Sequence, residues 1–319
     1  MSALFDEIGD ADRKKIAMVA DDHETELYVE IQAWDAASDD AVLHTKVPTV
    51  SDTGTTTIYL YFDSTESENT SYVDDTGETA ALSVWDSNFA AVYHMVDETT
   101  TAIAESTGNV ASGQKAGDGD PAGATGKVGS AQNFNGSSSE IDLGTDADLN
   151  FTSAMTFEAI VKRDVDDVGH ALGGKWIWSS VAARSYYIQI NTSNTINFIT
   201  ASDGEIATED NLIGSDTIDA TNYYHIAGVY DGTTGKYIYV NGAEDESNSW
   251  TSGIYSREAT GVFLGVQNGG AAPEALYTYF DGIIDEVRFS STARDAEWVK
   301  ATYHSTFDTL VTYSAIESL

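Results

Sequence analysis

Short runs in which apolar residues recur at every second position account for most of the chain, and turn-forming residues separate these runs. Thr156–Lys162 is one example, and a period of two is typical of a strand with one buried face. Tyr223–Tyr230 and Lys236–Val240 predict a hairpin, which is followed by a tight turn at Asn241-Gly242. Ten or more strands of this kind, with frequent Gly, Asn and Asp turns, predict an all-β fold built as a closed sandwich.

Only two or three short helices are predicted, and two of them can be placed. Ser2–Ile8 is the first, and Arg294–Tyr303 is the second. The second follows Thr292, which with Asp295 three residues later resembles a capping box.

The strand pattern changes along the chain and divides it into parts. Four strand-like runs precede residue 63 and predict a small sheet, after which 63–80 reads as a polar connecting segment. From residue 82 the strands are longer and more aromatic, and the Gly-rich run 111–129 predicts a long surface loop. The expected parts are a small β domain with an N-terminal segment and linker at 1–80, a sandwich at 81–304 and a C-terminal tail at 305–319.

The composition narrows the function classes. With 52 acidic and 15 basic residues the net charge is −37, so duplex nucleic acid is excluded as a partner because no basic stripe can neutralise phosphates. Such a density of negative charge favours a halophilic or marine source, bound divalent cations, or both. The chain has no cysteine, shows no apolar run long enough to insert in a membrane, and begins with an acidic segment rather than an export signal.

Four segments in order carry a family resemblance. They are AQNFNG at 131–136, YHIAGVYDG at 224–232, YVNG at 239–242 and FDGIIDEVRF at 280–289. Together they resemble the LamG-type jelly roll of the concanavalin A-like lectin and glucanase superfamily, over about 82–303. The resemblance implies a two-sheet sandwich for the second part of the chain.

The part upstream resembles a small uncharacterised β domain that often precedes LamG-type modules. The residues that carry this resemblance are KVP at 46–48, IYLYF at 58–62 and VWDSNF at 84–89. Together with the opening segments FDEIG at 5–9 and RKKIA at 13–17, the pairing is similar to structural proteins of tailed viruses.

Asp285 is the first candidate for a metal ligand. In the strand 283–289 a period of two places Asp285 on the apolar face and directs Glu286 and Arg288 to solvent. A lone carboxylate among apolar side chains is costly, so a cation or several backbone N–H groups must compensate. The family resemblance implies a structural calcium at Asp285, with backbone carbonyls of the turn Asn135-Gly136 as further ligands. The alternative is that Asp285 caps a loop through hydrogen bonds only.

Aromatic residues near polar ones are the candidates for ligand binding. Trp176 and Trp178 are two residues apart and should share one side of their strand, whereas Trp250 and Tyr255 follow a predicted turn. Sugars stack their C–H faces on such rings and accept planar hydrogen bonds, which Asn268 could supply. The alternative is that these rings fill a core or a subunit interface.

No catalytic constellation is recognised, so the chain is not predicted to be an enzyme. Glu140 and Asp142 alternate as in glucanases of this superfold, but the third acidic position is Gly144, and the acid/base would be missing. The six histidines show no metal-like spacing.

The preferred function is therefore a virion structural or adhesion protein that displays a LamG-like domain for surface attachment or glycan recognition. Its partners would be other virion proteins or further copies of itself, and host-surface glycans. The alternative is a secreted or cell-surface carbohydrate-binding module, which would be extracellular instead of lying on the virion surface. A glycoside hydrolase is the third hypothesis and is disfavoured.

Overall fold

The computed structural model describes residues 2–51, 53–96, 101–115, 121–178, 183–268 and 276–314. By their internal contacts these residues form two compact units. Unit 1 comprises the described residues of Met1–Ser87, Ser106–Gly108 and Tyr313–Leu319, and unit 2 those of Asn88–Glu105 and Asn109–Thr312. Strands predominate in both units, so the predicted all-β class is confirmed. No helix in the described ranges has the length and apolar character needed to cross a bilayer.

Unit 1 contains two three-stranded sheets, ordered β2-β1-β5 and β4-β3-β6. Its elements are α1 (Ser2–Glu7), β1 (Ile16–Ala20), β2 (Glu26–Leu27), β3 (Val29–Asp35), β4 (Asp40–Thr45), β5 (Ile58–Phe62), β6 (Val73–Asp75) and α2 (Thr79–Leu82), with a 3-10 turn at Asp10–Asp12. The helix predicted at the start of the chain is present. Apolar residues of α1 pack with β1, β3 and β6 in one core cluster.

The segment 63–80 is more than a connection, because β6 lies within it and pairs in parallel with β3. This strand was not predicted, because the segment is rich in polar residues. The carboxylate of Asp74 accepts a hydrogen bond from Lys14 Nζ at 2.6 Å, and Asp75 is held by Arg13 at 2.7 Å. These ion pairs allow an acidic dipeptide to occupy a strand.

Unit 2 is a two-sheet sandwich with one helix. Its elements are β7 (Phe89–Tyr93), β8 (Ala102–Ile103), β9 (Gly113–Lys115), β10 (Ala122–Thr125), β11 (Ser130–Asn135), β12 (Ile141–Asp142), β13 (Ala154–Arg163), β14 (His170–Trp176), β15 (Arg184–Ile190), β16 (Ile196–Ala201), β17 (Glu209–Ile213), β18 (Tyr224–Asp231), β19 (Gly235–Val240), β20 (Ala243–Asn248), β21 (Phe263–Leu264), β22 (Val266–Asn268), β23 (Leu276–Tyr279), β24 (Asp281–Ser290) and α3 (Ala296–Thr306), with 3-10 turns at Ala147–Leu149 and Ile206–Thr208.

Two eight-stranded sheets enclose the core of unit 2. The first, which we call the β24 sheet, has the order β10-β11-β24-β13-β18-β19-β20, and β7 also pairs with β24. The second, the β15 sheet, has the order β17-β16-β15-β14-β21-β12-β9-β8, and β22 and β23 form a separate ribbon. Alternate residues such as Phe157 of β13 and Ile188 of β15 meet in one large cluster between the sheets. The sheets approach closely at Gly228, where an added Cβ would lie 2.4 Å from Ile188 Cδ1.

The predicted turns differ in their outcome. Asn241 and Gly242 have φ of 49° and 75°, as a type I′ hairpin turn requires, so this prediction is confirmed. At the turn predicted for Asn135-Gly136, Gly136 has a positive φ of 70°, and the chain passes there from β11 in one sheet to β12 in the other. The predicted loop 111–129 contains β9 and β10.

Helix α3 begins later than predicted. Asp295 is its N-cap, and its side chain accepts the N–H of Trp298 at 2.8 Å, so Thr292 does not start the helix. Val299 packs against Ala227, Val229 and Tyr239, on the face of the β24 sheet that is turned away from the sandwich core.

The β20 edge of the β24 sheet and the β17 edge of the β15 sheet are tied together by polar side chains. Asp245 of β20 accepts the backbone N–H groups of Ser215 and Asp216 at 3.0 and 2.9 Å. The buried Lys236 of β19 donates from Nζ to the carbonyl and the carboxylate of Asp210 in β17, at 2.8 and 2.9 Å. Both contacts join one sheet to the other across the open side of the sandwich.

Substitution of this lysine should change the pH dependence of stability. Burial lowers the pKa of Lys236 from 10.5 to about 8. Between these two values the unfolded chain holds a proton that the folded protein has released, so stability rises with pH through this window. Relative to Lys236→Met, the wild-type free energy of unfolding should gain up to about 3 kcal/mol from pH 8 to pH 10.5, measured by urea unfolding. Parallel curves for the two proteins would contradict the assignment.

Candidate functional site

The aromatic residues predicted in the middle of the chain meet at the end of β14. Trp176 is its last residue and is only 2% exposed, whereas Trp178 lies beyond the strand and is 42% exposed. Their ring centroids are 6.4 Å apart. The Arg184 guanidinium lies 6.0 Å from the Trp176 ring and 5.4 Å from the Trp178 ring, which is the range of cation–π interactions.

Tyr187 completes this arrangement, which we call the aromatic cluster (Trp176, Trp178, Arg184 and Tyr187). In β15, Tyr186 and Ile188 face the core between the sheets, so Tyr187 faces the other way. Its ring centroid lies 6.1 Å from that of Trp176. The cluster therefore occupies the face of the β15 sheet that is turned away from the sandwich core.

The polar atoms of the aromatic cluster are only partly paired. Arg184 donates from Nη2 to the carbonyl of Trp178, and its Nη1 lies 3.1 Å from Oε1 of Glu209. Burial raises the pKa of Glu209, and Arg184 opposes this effect. Trp176 Nε1, Tyr187 Oη and Arg184 Nε are buried and have no hydrogen-bond partner among the described residues.

The other three residues predicted to bind a ligand do not belong to the aromatic cluster. The side chain of one of them lies outside the described residues. Trp250 packs on Tyr230 with centroids 5.6 Å apart and lies under Lys236, so it covers the sandwich core. Tyr255 is half-buried and its N–H donates to the carbonyl of Ala201, which belongs to the same apolar cluster as Trp176. Asn268 ends β22, and its side chain lies outside the described residues. Arg184 and Tyr187 were not predicted from the sequence, because the face on which each lies depends on the register between β14 and β15.

Asp285 is fully buried, but it does not share a face with the apolar residues that follow it. Glu286 has a positive φ of 50°, and between the pairs Glu158–Arg288 and Ile160–Asp285 β24 has one residue more than β13. This bulge breaks the period of two. The prediction that Glu286 and Arg288 face solvent is wrong, since both are buried.

The two carboxylate oxygens of Asp285 have different surroundings. Oδ2 accepts the backbone N–H groups of Lys127 and Val128 at 2.8 and 2.9 Å, whereas the buried Oδ1 has no partner among the described residues. Burial and the neighbouring charge of Glu286 raise the pKa of Asp285 to about 8. A buried, unpaired carboxylate oxygen fits a bound cation or a bound proton.

The turn Asn135-Gly136 lies beside Asp281, with which Asn135 is in register, and not beside Asp285. The structure therefore does not gather the three predicted metal ligands at one point. Gly136 and Asp281 instead line an open cleft of about 380 Å³ together with His170. Burial lowers the pKa of His170, whose neutral ring donates from Nε2 to Val165 at 3.0 Å and accepts the N–H of Asp281 at Nδ1.

Comparison with known families agrees with this architecture. The model of the Laminin_G_3 family, described as the concanavalin A-like lectin/glucanases superfamily, matches residues 135–300, which is more than half of the 319 residues. The chain belongs to the concanavalin A-like lectin/glucanases superfamily. Upstream of this superfamily domain, a model described as a domain of unknown function (DUF2341) matches residues 12–107.

Several solved structures are similar to this chain at low sequence identity. The binding domain of Paraclostridial Mosquitocidal Protein 1 is 15% identical, with a TM-score of 0.52 over 69% of this chain and 53% of that one. The binding domain of botulinum neurotoxin serotype G is 11% identical, with a TM-score of 0.51 over 68% and 50%. Domain 4 of the arabinanase AbnA from Geobacillus stearothermophilus, in complex with arabinotriose, is 20% identical, with a TM-score of 0.48 over 67% and 97%.

The chain thus spans about half the length of the two toxin binding domains. No curated protein matches the sequence.

The two tryptophans of the cluster should differ in their contribution to stability. Trp176→Ala removes a buried ring and should lower the free energy of unfolding by about 3–5 kcal/mol. Trp178→Ala removes an exposed ring with one cation–π contact and should cost less than about 1 kcal/mol. Urea unfolding of both variants measures the difference, and equal losses would contradict the assigned exposures.

Proposed function

We propose that unit 2 recognises glycans without catalysis, and that the aromatic cluster is its contact surface. The observation that carries this proposal is the exposed ring of Trp178, held beside the Arg184 guanidinium at 5.4 Å. A sugar ring stacks its C–H face on such a side chain, and neighbouring polar groups then set its orientation. Arg184 is the first residue of β15, and Trp178 follows two residues after the end of β14.

The comparisons support a binding role. Both of these similar structures with a TM-score above 0.5 are binding domains, one of a mosquitocidal protein and one of a neurotoxin. They share the sandwich with this chain at 15% and 11% identity. The superfamily includes lectins as well as glucanases, so the site rather than the fold distinguishes the two activities.

Of the two acidic residues that resemble a glucanase motif, Asp142 makes a structural contact in this protein. Asp142 lies in β12, a strand with a neighbour on each side, and its Oδ1 accepts the N–H of Gly144 at 2.7 Å. A carboxylate that closes a turn is poorly placed as a nucleophile. This contact supports a non-catalytic protein.

We also propose a location outside the cell, on the surface of a virus particle or attached to a cell. The resemblance of the opening segments to structural proteins of tailed viruses supports the virion surface. A carbohydrate-binding module of a larger secreted protein is the alternative. Either location would present the aromatic cluster to surface glycans, and the virion location adds other virion proteins or further copies as partners.

Calcium is proposed as a structural ion at Asp285. Oδ1 of Asp285, which has no partner among the described residues, would supply one of the roughly six to eight oxygen ligands that Ca²⁺ takes. When bound, the ion would supply the positive charge that a buried carboxylate lacks. The role of Asp285 itself is to hold the segment at Lys127 and Val128 against β24 through Oδ2.

Removal of the Trp178 ring should weaken glycan binding without loss of folding. Trp178→Ala should weaken binding to any glycan that the wild type retains on an array by about tenfold or more, which is 1.4 kcal/mol. Trp298→Ala is the matched control. Trp298 lies in α3 and is 36% exposed, and the Arg294 guanidinium lies 4.0 Å from the centroid of its ring. Equal affinities of wild type and Trp178→Ala would contradict the site.

Chelation should destabilise the wild type through Asp285. EDTA should lower its melting temperature by about 5 °C, as expected when an ion that binds only the folded state is withdrawn. Asp285→Asn should show no response to EDTA, whereas the control Asp281→Asn, in the same strand, should keep it. If EDTA leaves the wild type unchanged and Asp285→Asn is the more stable protein, a proton rather than a cation occupies the site.

A further inference from the structure

The unpaired polar atoms of the aromatic cluster indicate the chemistry of its ligand. Trp176 Nε1, Tyr187 Oη and Arg184 Nε are all buried, and none has a partner in the part of the chain that the structure describes. Each buried group without a partner costs about 1–3 kcal/mol. Three in one small cluster are therefore a concentrated cost, which a bound ligand would offset.

All three atoms can donate, and two of them can only donate. An indole N–H and a guanidinium N–H have no lone pair to offer, whereas the tyrosine hydroxyl can act in either sense. A ligand that completes these bonds must present acceptor oxygens. Carbonyl and carboxylate oxygens meet this requirement better than sugar hydroxyls, each of which also brings a donor that needs its own partner.

The charges at the cluster favour the neutral acceptor over the anionic one. Glu209 lies 3.1 Å from Arg184 and balances its positive charge, so no net positive charge remains for a carboxylate. The chain as a whole carries −37, which repels anions at low salt. A carbonyl group accepts the same hydrogen bonds without this repulsion.

We propose that the aromatic cluster binds the acetamido group of an N-acetylhexosamine. Its carbonyl oxygen accepts from the unpaired donors, and its methyl group and the sugar ring pack on the exposed face of Trp178. This inference rests on the proposed function, since it specifies the glycan class for the same site.

Pairs of glycans that differ only in the acetamido group test the ligand class separately from glycan recognition itself. On an array that pairs N-acetylated sugars with equivalents of the same linkage that lack the acetamido group, the wild type should bind only the acetylated members. Equal binding to both members would overturn the acetamido assignment and leave glycan recognition intact. Preference for uronate sugars would overturn the charge argument. An array without any binding would overturn both proposals.

Tyr187→Phe tests whether the Tyr187 hydroxyl donates to the ligand. The measurement is the affinity for the glycan, which a change in packing alone would not alter. The substitution removes the unpaired hydroxyl and keeps the ring, so the melting temperature should stay or rise, while affinity for the N-acetylated glycan should fall by about tenfold. Tyr186→Phe is the control, because the Tyr186 hydroxyl already donates to the carbonyl of Leu149 at 3.1 Å. That variant should lose stability and keep its affinity. Unchanged affinity of Tyr187→Phe would overturn the proposal.

Discussion

The positive φ at Glu286 determines which side chains of β24 reach the core of unit 2. β24 pairs with β11, β13 and β7, so its phase constrains three neighbouring strands. Because the bulge adds one residue, Ile284 and Val287 both enter the core although they are three positions apart. The consequence is a polar stretch on the other face, where Asp285 depends on the amides of Lys127 and Val128.

The two sheets of unit 2 use their outer faces differently. On the β24 sheet, α3 covers the outer face through Val299, and Asp285 fastens a neighbouring segment. On the β15 sheet, the outer face carries the aromatic cluster, with Trp178 open to solvent. The first face thus contributes to stability, whereas the second leaves buried polar atoms without a partner among the described residues.

Local chemistry made part of this structure predictable. The turn at Asn241-Gly242 and the strands beside it follow from residue types that favour positive φ and alternation. A helix near residue 295 was predicted as well, and only its cap was misplaced, because both Thr292 and Asp295 are good N-cap residues. Strand β6 was missed because ion pairs with Arg13 and Lys14 offset a composition that normally indicates a loop.

The candidate site was harder to predict because it depends on register. Trp176 and Trp178 were found from their spacing, and their rings do meet. Which of Tyr186 and Tyr187 faces the core depends on how β15 pairs with β14, and that pairing contains bulges. A positive φ at a glutamate has no sequence signature, so the phase of β24 beyond Asp285 could not be deduced from the pattern alone.

The acidic strand β20 has a consequence for how copies of this protein meet. An edge strand offers unpaired N–H and C=O groups to any other edge, and charged side chains are one protection against such pairing. Here Glu244, Asp245 and Glu246 line the edge, and Asp245 also fastens it to the loop at Ser215. Because like charges would then face each other, pairing of this edge with the same edge of a second copy is disfavoured.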